Sequence, residues 1–275
     1  MLEKLSLMYF GCYTYKSLWM PFIKLKNKYI SNIKMYFCTD LFKENEFELD
    51  NVNILNFNKK SNFTINGNLY DRYLYYLENI DTEYILYFLD DMYPIDYIDN
   101  NNLINMIKIM DENSDIKLIK LSLHSHPFRN GTIVSYNNIK FVKANNNLDE
   151  YIFNTQPIII KKNFFIDLIN YCKEHNTYNS QHSGLEISGT DFFKNTDYIS
   201  LRITSDIIKI PFDGGVVQSG IISEWMKKML KDKENIDIKT YDNNLIYELT
   251  KDEYDNLGGP LKECYHNLNI KCIDS

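Results

Sequence analysis

Cysteine is scarce and follows no pattern in this sequence. The five cysteines are odd in number and widely spaced, and none of them belongs to a C-x-x-C motif. This spacing argues against a disulfide framework and favours reduced, mostly structural thiols, as in a cytosolic protein. The residues concerned are Cys12, Cys38, Cys172, Cys264 and Cys272.

Long apolar segments are also missing. No stretch approaches the roughly 20 residues that a membrane-spanning helix needs. The segment Met1–Phe10 is too short and too quickly polar for a signal peptide. We therefore expect a cytoplasmic protein without a transmembrane segment, either free or peripheral to a membrane.

The sequence has no basic stripe. Thirty-seven acidic residues outnumber thirty basic ones, which gives a formal net charge of −7. Nucleic-acid binders depend on clustered Lys and Arg that neutralise phosphates, so the composition argues against this class. Two lysine clusters, at positions 24–28 and 227–233, are typical of solvated helix faces, although either could also face a diphosphate or an anionic membrane.

What the sequence does contain is an apolar strand that ends in two acids. The run Tyr84–Leu89 does not alternate, which is typical of a strand covered on both faces in a mostly parallel sheet. Such sheets bind ligands outside the carboxyl ends of their strands, where Asp90 and Asp91 follow. Paired carboxylates there can hold Mg²⁺ or Mn²⁺, or organise the diphosphate that such an ion neutralises.

Strand and helix patterns surround this run in the order β-α-β-β-α-β with short connections, which is typical of a wound α/β sheet. Strands are predicted at Leu5–Tyr9, Ile33–Cys38 and Val52–Phe57, and helices around Leu18–Tyr29 and at Leu69–Leu77.

The downstream half continues with mixed elements. The predictions are a helix around Leu103–Met110, a strand at Ile116–Leu123, a hairpin or loop region at Pro127–Asn147, a buried segment at Pro157–Ile160, a helix at Phe164–Cys172, a polar turn region at Asn176–Gly184, a helix near Gly189–Lys194, a strand near Ile207–Ile210 and a helix through Ile222–Met229. From Lys231 onward the sequence is polar and weakly periodic. We therefore divide the chain into one domain, residues 1–230, and a C-terminal appendage, residues 231–275.

The order of these pieces resembles the nucleotide-sugar-dependent glycosyltransferases of the GT-A fold, in a bacterial or viral branch. The pieces that carry the resemblance are Leu5–Tyr13, the helix with Trp19, Pro21 and Phe22, Met35–Asp40, Tyr84–Pro94, Gln156–Ile160, Leu185-Glu186 and Gly214–Gly220. The resemblance implies a GT-A-like, Rossmann-like sheet flanked by helices. It also implies a hexosyltransferase type of activity, in which a sugar moves from a nucleotide-diphosphate sugar to a hydroxyl of a glycan, lipid-linked or protein acceptor.

In that family the strand-end motif is D-x-D, whose last acid is usually the firmest metal ligand. Here Asp90-Asp91-Met92 lacks the final acid. The resemblance therefore implies that Asp91 binds Mn²⁺ or Mg²⁺, whereas Asp90 either joins it or binds the ribose or a metal-bound water. Without a ligand, the same two acids would simply begin a turn before Tyr93-Pro94, because aspartate is common in turns.

Nucleotide recognition in the family uses the loop after the first strand and the end of the second. The matching positions are Gly11, Cys12, Tyr13 and Asp40, and Arg72 resembles an arginine that faces the nucleotide. A carboxylate such as Asp40 can accept from a base N–H or a ribose hydroxyl, and arginine suits bidentate phosphate contact. The structural alternatives are a cap at Asp40 and an ion pair between Arg72 and either Asp71 or Glu78.

Sugar transfer with inversion needs a base that takes the proton of the acceptor hydroxyl, and a carboxylate is the usual choice in this family. Glu186 is the best match, because the family places this base at a helix start downstream of the strand-end acids. Asp191 is the second candidate. The structural alternative is that Glu186 only caps or charges the start of a helix.

Two further motifs have weaker functional meaning. Alternation along a strand would put the imidazoles of His124 and His126 on one face, where they could share a metal, contact a sugar or acceptor, or lie in an exposed loop. Gly214, Gly215 and Gly220 would let the backbone approach a ligand, but they do not form a P-loop.

Two other functions compete with glycosyl transfer. A sugar nucleotidyltransferase has a similar α/β architecture, but it should show a glycine-rich basic loop after its first strand, and Gly11–Tyr15 is not one. A catalytically inactive GT-A-like module that binds a sugar or nucleotide is indicated by Met92, which replaces the expected acid.

Overall fold

The computed structural model describes residues 1–42, 52–57, 69–123, 126–175, 181–208, 217–218, 221–222 and 224–236. Within these ranges the chain forms eleven strands and six α-helices. The strands are β1 (Leu5–Gly11), β2 (Lys34–Thr39), β3 (Asn53–Asn56), β4 (Tyr84–Leu89), β5 (Ile116–Lys120), β6 (Thr132–Tyr136), β7 (Ile139–Lys143), β8 (Ile158–Lys161), β9 (Ile199–Ile203), β10 (Val217–Gln218) and β11 (Ile221–Ile222). The helices are α1 (Trp19–Tyr29), α2 (Leu69–Asn79), α3 (Asn100–Glu112), α4 (Lys162–His175), α5 (Gln181–Lys194) and α6 (Glu224–Glu234).

Nine of the strands in these ranges form one sheet, in the order β3-β2-β1-β4-β8-β5-β9-β7-β6. The predicted α/β class, with a large central sheet flanked by helices, is confirmed. Strands β3, β2, β1 and β4 are parallel. Strand β8 enters antiparallel between β4 and β5, and the predicted hairpin β6–β7 joins β9 antiparallel. The sheet is therefore parallel from β3 to β4 and mixed as a whole. The apolar patterns of the sequence do not reveal these strand directions.

Helices cover both faces of this sheet. Helices α1, α3 and α6 belong to one apolar core, and α2, α4 and α5 belong to the other. Alternate side chains of β4 enter the two cores, since Leu86 and Phe88 lie on the first side and Ile85 and Tyr87 on the second. Burial on both faces explains why the sequence of β4 is apolar without alternation.

Two predicted elements after α4 are wrong in position. Helix α5 begins at Gln181, so the predicted turn region ends earlier and the helix is longer than Gly189–Lys194. Its first three residues are polar, and an apolar pattern therefore misses its first turn. The predicted strand near Ile207 is a bend in its described part, whereas β9 lies at Ile199–Ile203, where buried Leu201 and Ile203 flank Arg202.

Helix α6 continues beyond the predicted domain boundary at Lys231. Leu230 and Ile236 are buried in the first core, and Glu234 pairs with Lys28 at 2.6 Å. Residues 237–275 lie outside the described part of the chain, so the C-terminal appendage stays a prediction.

Cys12, Cys38 and Cys172 are free thiols. None of the helices in the described ranges has the length and apolar character needed to cross a membrane.

Candidate functional site

The strand register brings the predicted binding residues to one end of the sheet. Phe10 of β1 lies opposite Leu89 of β4, and Gly11 lies opposite Thr39 of β2. The residues that follow these strands therefore emerge side by side. We call this end of the sheet the carboxyl edge, and in parallel sheets ligands bind outside such an edge.

Two carboxylates fix the loop that follows β1. The backbone N–H of Cys12 donates to Asp90 Oδ2 at 3.0 Å, and that of Tyr13 donates to Asp40 Oδ1 at 2.7 Å. One carboxylate comes from each strand beside β1, so the loop is bonded on both sides. Each such bond typically contributes about 0.5–1.5 kcal/mol, and more when the accepting carboxyl is ionised. The loop is thus preorganised at the edge where a ligand would bind.

Asp40 has mainly structural partners. Besides Tyr13, its Oδ1 accepts from the backbone N–H of Leu41 at 3.1 Å and from Thr39 Oγ1 at 3.3 Å. Oδ1 of Asp40 therefore acts as a turn cap, as the structural alternative predicts. Oδ2 lies 3.9 Å from an Arg72 nitrogen, and it is the oxygen left to accept from a ligand.

Arg72 lies behind the loop and is 7% exposed. It donates to Cys12 Sγ at 3.5 Å, and its guanidinium is 4.9 Å from the Phe10 ring. The predicted alternative was an ion pair with Asp71 or Glu78, but the acid near Arg72 is Asp40, at 3.9 Å, and Asp71 pairs with Lys173 at 2.6 Å. Nε of Arg72 is buried without a partner among the described residues. Burial raises the pKa of the Cys12 thiol to about 12, so this thiol stays protonated.

Gly11 and Tyr13 contribute packing more than polar side-chain contacts. A Cβ at position 11 would come within 3.0 Å of both Trp19 Nε1 and Tyr9 Cε1, so only glycine fits without rearrangement. The Tyr13 ring is buried and meets Trp19 edge-on at 6.1 Å. These two predicted binding residues therefore shape the loop, while its polar groups come from the backbone.

Asp90 and Asp91 are the middle residues of a turn closed by Met92 N, which donates to Leu89 O at 3.1 Å. Met92 is buried in the first core, so the position of the expected third acid does not belong to the polar site. Burial, followed by the charge of Asp91, raises the pKa of Asp90 to about 8, and burial raises the pKa of Asp91 to about 7. A cation beside them would stabilise the ionised form of both carboxyls and lower their pKa values.

The residues present fit a divalent cation. Oδ1 of Asp91 is shielded from solvent and has no hydrogen-bond partner within the described ranges. These ranges contain no cluster of three or more His, Cys, Asp or Glu that could hold a metal. Mg²⁺ commonly takes only one or two carboxylates and completes its shell with phosphate and water, so Asp90 and Asp91 suffice in number and chemistry.

Glu186 lies on the second turn of α5, not at the helix start that the sequence predicts. Its Oε1 accepts from both the N–H and the Oγ1 of Thr155, each at 2.8 Å. Thr155 precedes β8, whose Ile158 lies opposite Tyr87 of β4. Antiparallel pairing therefore carries Thr155 and Glu186 toward the edge where Asp90 lies. Oε2 has no partner in the described part of the chain.

A tyrosine pair lies within the electrostatic influence of Glu186 and of the two aspartates. The hydroxyls of Tyr73 and Tyr87 are 2.5 Å apart. Burial is the main cause that raises the pKa of both phenols; Glu186 adds to the effect at Tyr73, and Asp90 and Asp91 add to it at Tyr87. Asp191 lies elsewhere on α5 and pairs with Lys194 at 3.3 Å.

Lys120 is a buried charge that the sequence analysis missed. It is fully shielded at the end of β5, level with Tyr87, because both residues lie opposite Ile158 of β8. Burial, followed by the charge of Arg202, lowers the pKa of Lys120 to about 7, against the opposing effects of Glu186 and Asp149. The signal was present, since Lys120 alternates with Leu118, which is buried in the second core, while Ile119 between them is buried in the first.

We expect Lys120→Met to stabilise the protein at pH 6. A lysine pKa lowered from 10.5 to about 7 corresponds to a burial cost of about 5 kcal/mol. Losing the hydrogen bonds of Nζ offsets part of this, which leaves a gain of about 2 kcal/mol. Between pH 7 and 10 only the unfolded wild-type chain keeps the proton, so wild-type stability rises and the gain shrinks. Urea unfolding at pH 6 and pH 9.5 measures both; a variant less stable than wild type at pH 6 contradicts the expectation.

Two predicted motifs lie partly or wholly outside the described residues. His124 lies outside the described residues, and so do Gly214, Gly215 and Gly220. His126 is described, and its ring stacks on Tyr151 with 4.2 Å between the centroids. The shared-metal hypothesis for the two histidines therefore stays a prediction.

No family model and no curated protein matches this sequence. Similar solved structures include the glycosyltransferase GlyE of Streptococcus pneumoniae, at 14% identity and TM-score 0.43 over 72% of this chain and 45% of that one. TarS 1–349 of S. aureus in complex with UDP is similar at 11% identity and TM-score 0.42, over 96% of this chain and 78% of that one. The 4-diphosphocytidyl-2C-methyl-D-erythritol synthase of Anaerococcus prevotii is similar at 10% identity and TM-score 0.37, over 76% and 93%.

The chain spans less than half of the GlyE structure. Likenesses at this identity and TM-score do not assign the chain to a family or a function.

Proposed function

We propose that this protein is a GT-A-like glycosyltransferase that moves a sugar from a nucleotide-diphosphate sugar to a hydroxyl acceptor, with inversion. The observation that carries the proposal is the loop after β1, which two carboxylates hold at the carboxyl edge, together with the solvent-shielded Oδ1 of Asp91, which has no hydrogen-bond partner among the described residues. A preorganised loop next to paired acids suits a ligand that combines a polar nucleoside with a diphosphate and its cation.

Each polar group of the site has a role in this proposal. Asp91, with Asp90, would hold Mn²⁺ or Mg²⁺, which would neutralise charge on the leaving diphosphate. Oδ2 of Asp40 would accept from the nucleoside, and Arg72 would keep the loop and Asp40 in place behind it. Glu186 would take the proton of the acceptor hydroxyl through Oε2, while Thr155 fixes its other oxygen.

The proposal also covers location and acceptor class. The free thiols of Cys12, Cys38 and Cys172 support a cytoplasmic enzyme. The acceptor hydroxyl would belong to a glycan, a lipid-linked sugar or a protein. The buried Met92 supports the inactive binding module as a second candidate, because this module needs no third acid.

A thermal-shift screen tests the donor assignment. UDP-, GDP-, CDP-, ADP- and dTDP-sugars are added with and without Mn²⁺, and the matching nucleosides without phosphate serve as controls. A donor at about 100 times its Kd should raise the melting temperature by about 5 °C, and more with Mn²⁺ than without it. If no nucleotide sugar shifts the transition beyond its nucleoside, the proposal is wrong. If a donor does bind, an assay of its hydrolysis separates an enzyme from a binding module.

A further inference from the structure

Two exposed rings form a stacked pair beside the carboxyl edge. The rings of His126 and Tyr151 lie 4.2 Å apart at an angle of 13°, and Tyr151 is 37% exposed. The backbone of Tyr151 is left-handed, with φ at 51°. This conformation is unfavourable for a bulky residue and occurs mainly where the surroundings enforce it, often at functional sites.

Lys120 enforces this arrangement from below. Its Nζ donates to the carbonyl oxygen of Tyr151 at 2.6 Å and to that of His126 at 3.4 Å. Nζ also lies 4.3 Å from the centre of the Phe128 ring. One buried ammonium group therefore holds the backbones of both stacked residues, which belong to two different loops.

A cleft of about 300 Å³ begins at Tyr151 and runs along α5, lined also by Glu150, Ile187, Thr190, Asp191 and Lys194. Helix α5 carries Glu186 one turn before Thr190, so the cleft and the proposed base share one helix. The lining has two carboxylates and one ammonium group, and Lys194 is paired with Asp191 at 3.3 Å. The net charge of the lining is therefore negative.

We infer that this cleft is the acceptor subsite and that it takes a neutral carbohydrate whose ring packs on Tyr151. The inference rests on the proposed function. An aromatic ring offers a flat apolar surface, and carboxylates accept hydrogen bonds from sugar hydroxyls. A negative lining disfavours a phosphorylated acceptor. Lys120 acts as a positioning residue, since it contacts the stacked pair and not the cleft.

Ligand-observed NMR tests the subsite with defined probes. Methyl β-D-glucopyranoside, methyl β-D-galactopyranoside and sn-glycerol 3-phosphate are added to the full chain in the presence of UDP and Mn²⁺. At least one glycoside should bind, and glycerol phosphate should not. Tyr151→Ala should weaken glycoside binding about five- to tenfold, whereas Tyr97→Ala, which alters another exposed tyrosine, should not.

Lys120→Met separates positioning from simple structural support. This variant should be more stable than wild type at pH 6 and yet bind the glycoside more weakly. Unchanged glycoside binding in Tyr151→Ala or in Lys120→Met would overturn the inference. So would binding of glycerol phosphate that depends on Tyr151, or failure of both glycosides to bind. Calorimetry of UDP is run on the same samples: failure of UDP to bind counts against the donor site, whereas glycoside results at normal UDP affinity count for or against the acceptor subsite alone.

Discussion

Replacing Glu186 with glutamine is expected to lower turnover by about two to four orders of magnitude while donor affinity stays unchanged. Glutamine keeps an Oε1 that can accept from Thr155, so the side chain should stay in place. What it loses is the second carboxylate oxygen as a proton acceptor. The change therefore removes the proposed chemistry and leaves the local structure intact.

The measurement is release of the nucleoside diphosphate at saturating donor and acceptor, with donor affinity determined separately by calorimetry. Glu174→Gln is the matched control, because Glu174 is exposed on α4 and lies outside both the cleft and the carboxyl edge. It should keep turnover within a few-fold of wild type. Asp191→Asn tests the second candidate base at saturating acceptor, because Asp191 lines the cleft. Near-normal turnover in Glu186→Gln, with a large loss in Asp191→Asn, would transfer the role of base to Asp191. Near-normal turnover in both would favour a retaining mechanism.

The core of the fold could be predicted from the sequence because burial leaves a strong pattern there. Tyr84–Leu89 is a strand with the predicted bounds, since both of its faces are covered and no polar residue interrupts it. The position of Asp90 and Asp91 at the end of this strand followed directly. The start of helix α5 was harder to predict, because its first turn is polar and an apolar pattern therefore does not indicate it.

The partners within the site could not be predicted, because they depend on strand register and direction. Nothing in the sequence indicates that Tyr13 and Leu41 both donate to one oxygen of Asp40. The antiparallel insertion of β8, which brings Thr155 to Glu186, likewise leaves no mark in an apolar pattern. Lys120 was missed for a different reason: the strand contains two lysines, Lys117 and Lys120, and lysine is almost never fully buried in folded proteins.

The central claim is that paired acids at the carboxyl edge bind a diphosphate together with a divalent cation. Calorimetric titration of the nucleoside diphosphate of the donor that gives the largest shift in the thermal screen, into wild type and Asp91→Asn, with Mn²⁺ and with EDTA, tests it most directly. Asp99→Asn serves as the control, because Asp99 is exposed and caps α3 through a hydrogen bond that asparagine can also accept. We expect Asp91→Asn to bind this nucleoside diphosphate at least about tenfold more weakly and to lose the dependence on Mn²⁺, while Asp99→Asn matches wild type. Equal affinity and equal Mn²⁺ dependence in Asp91→Asn and wild type would contradict the account.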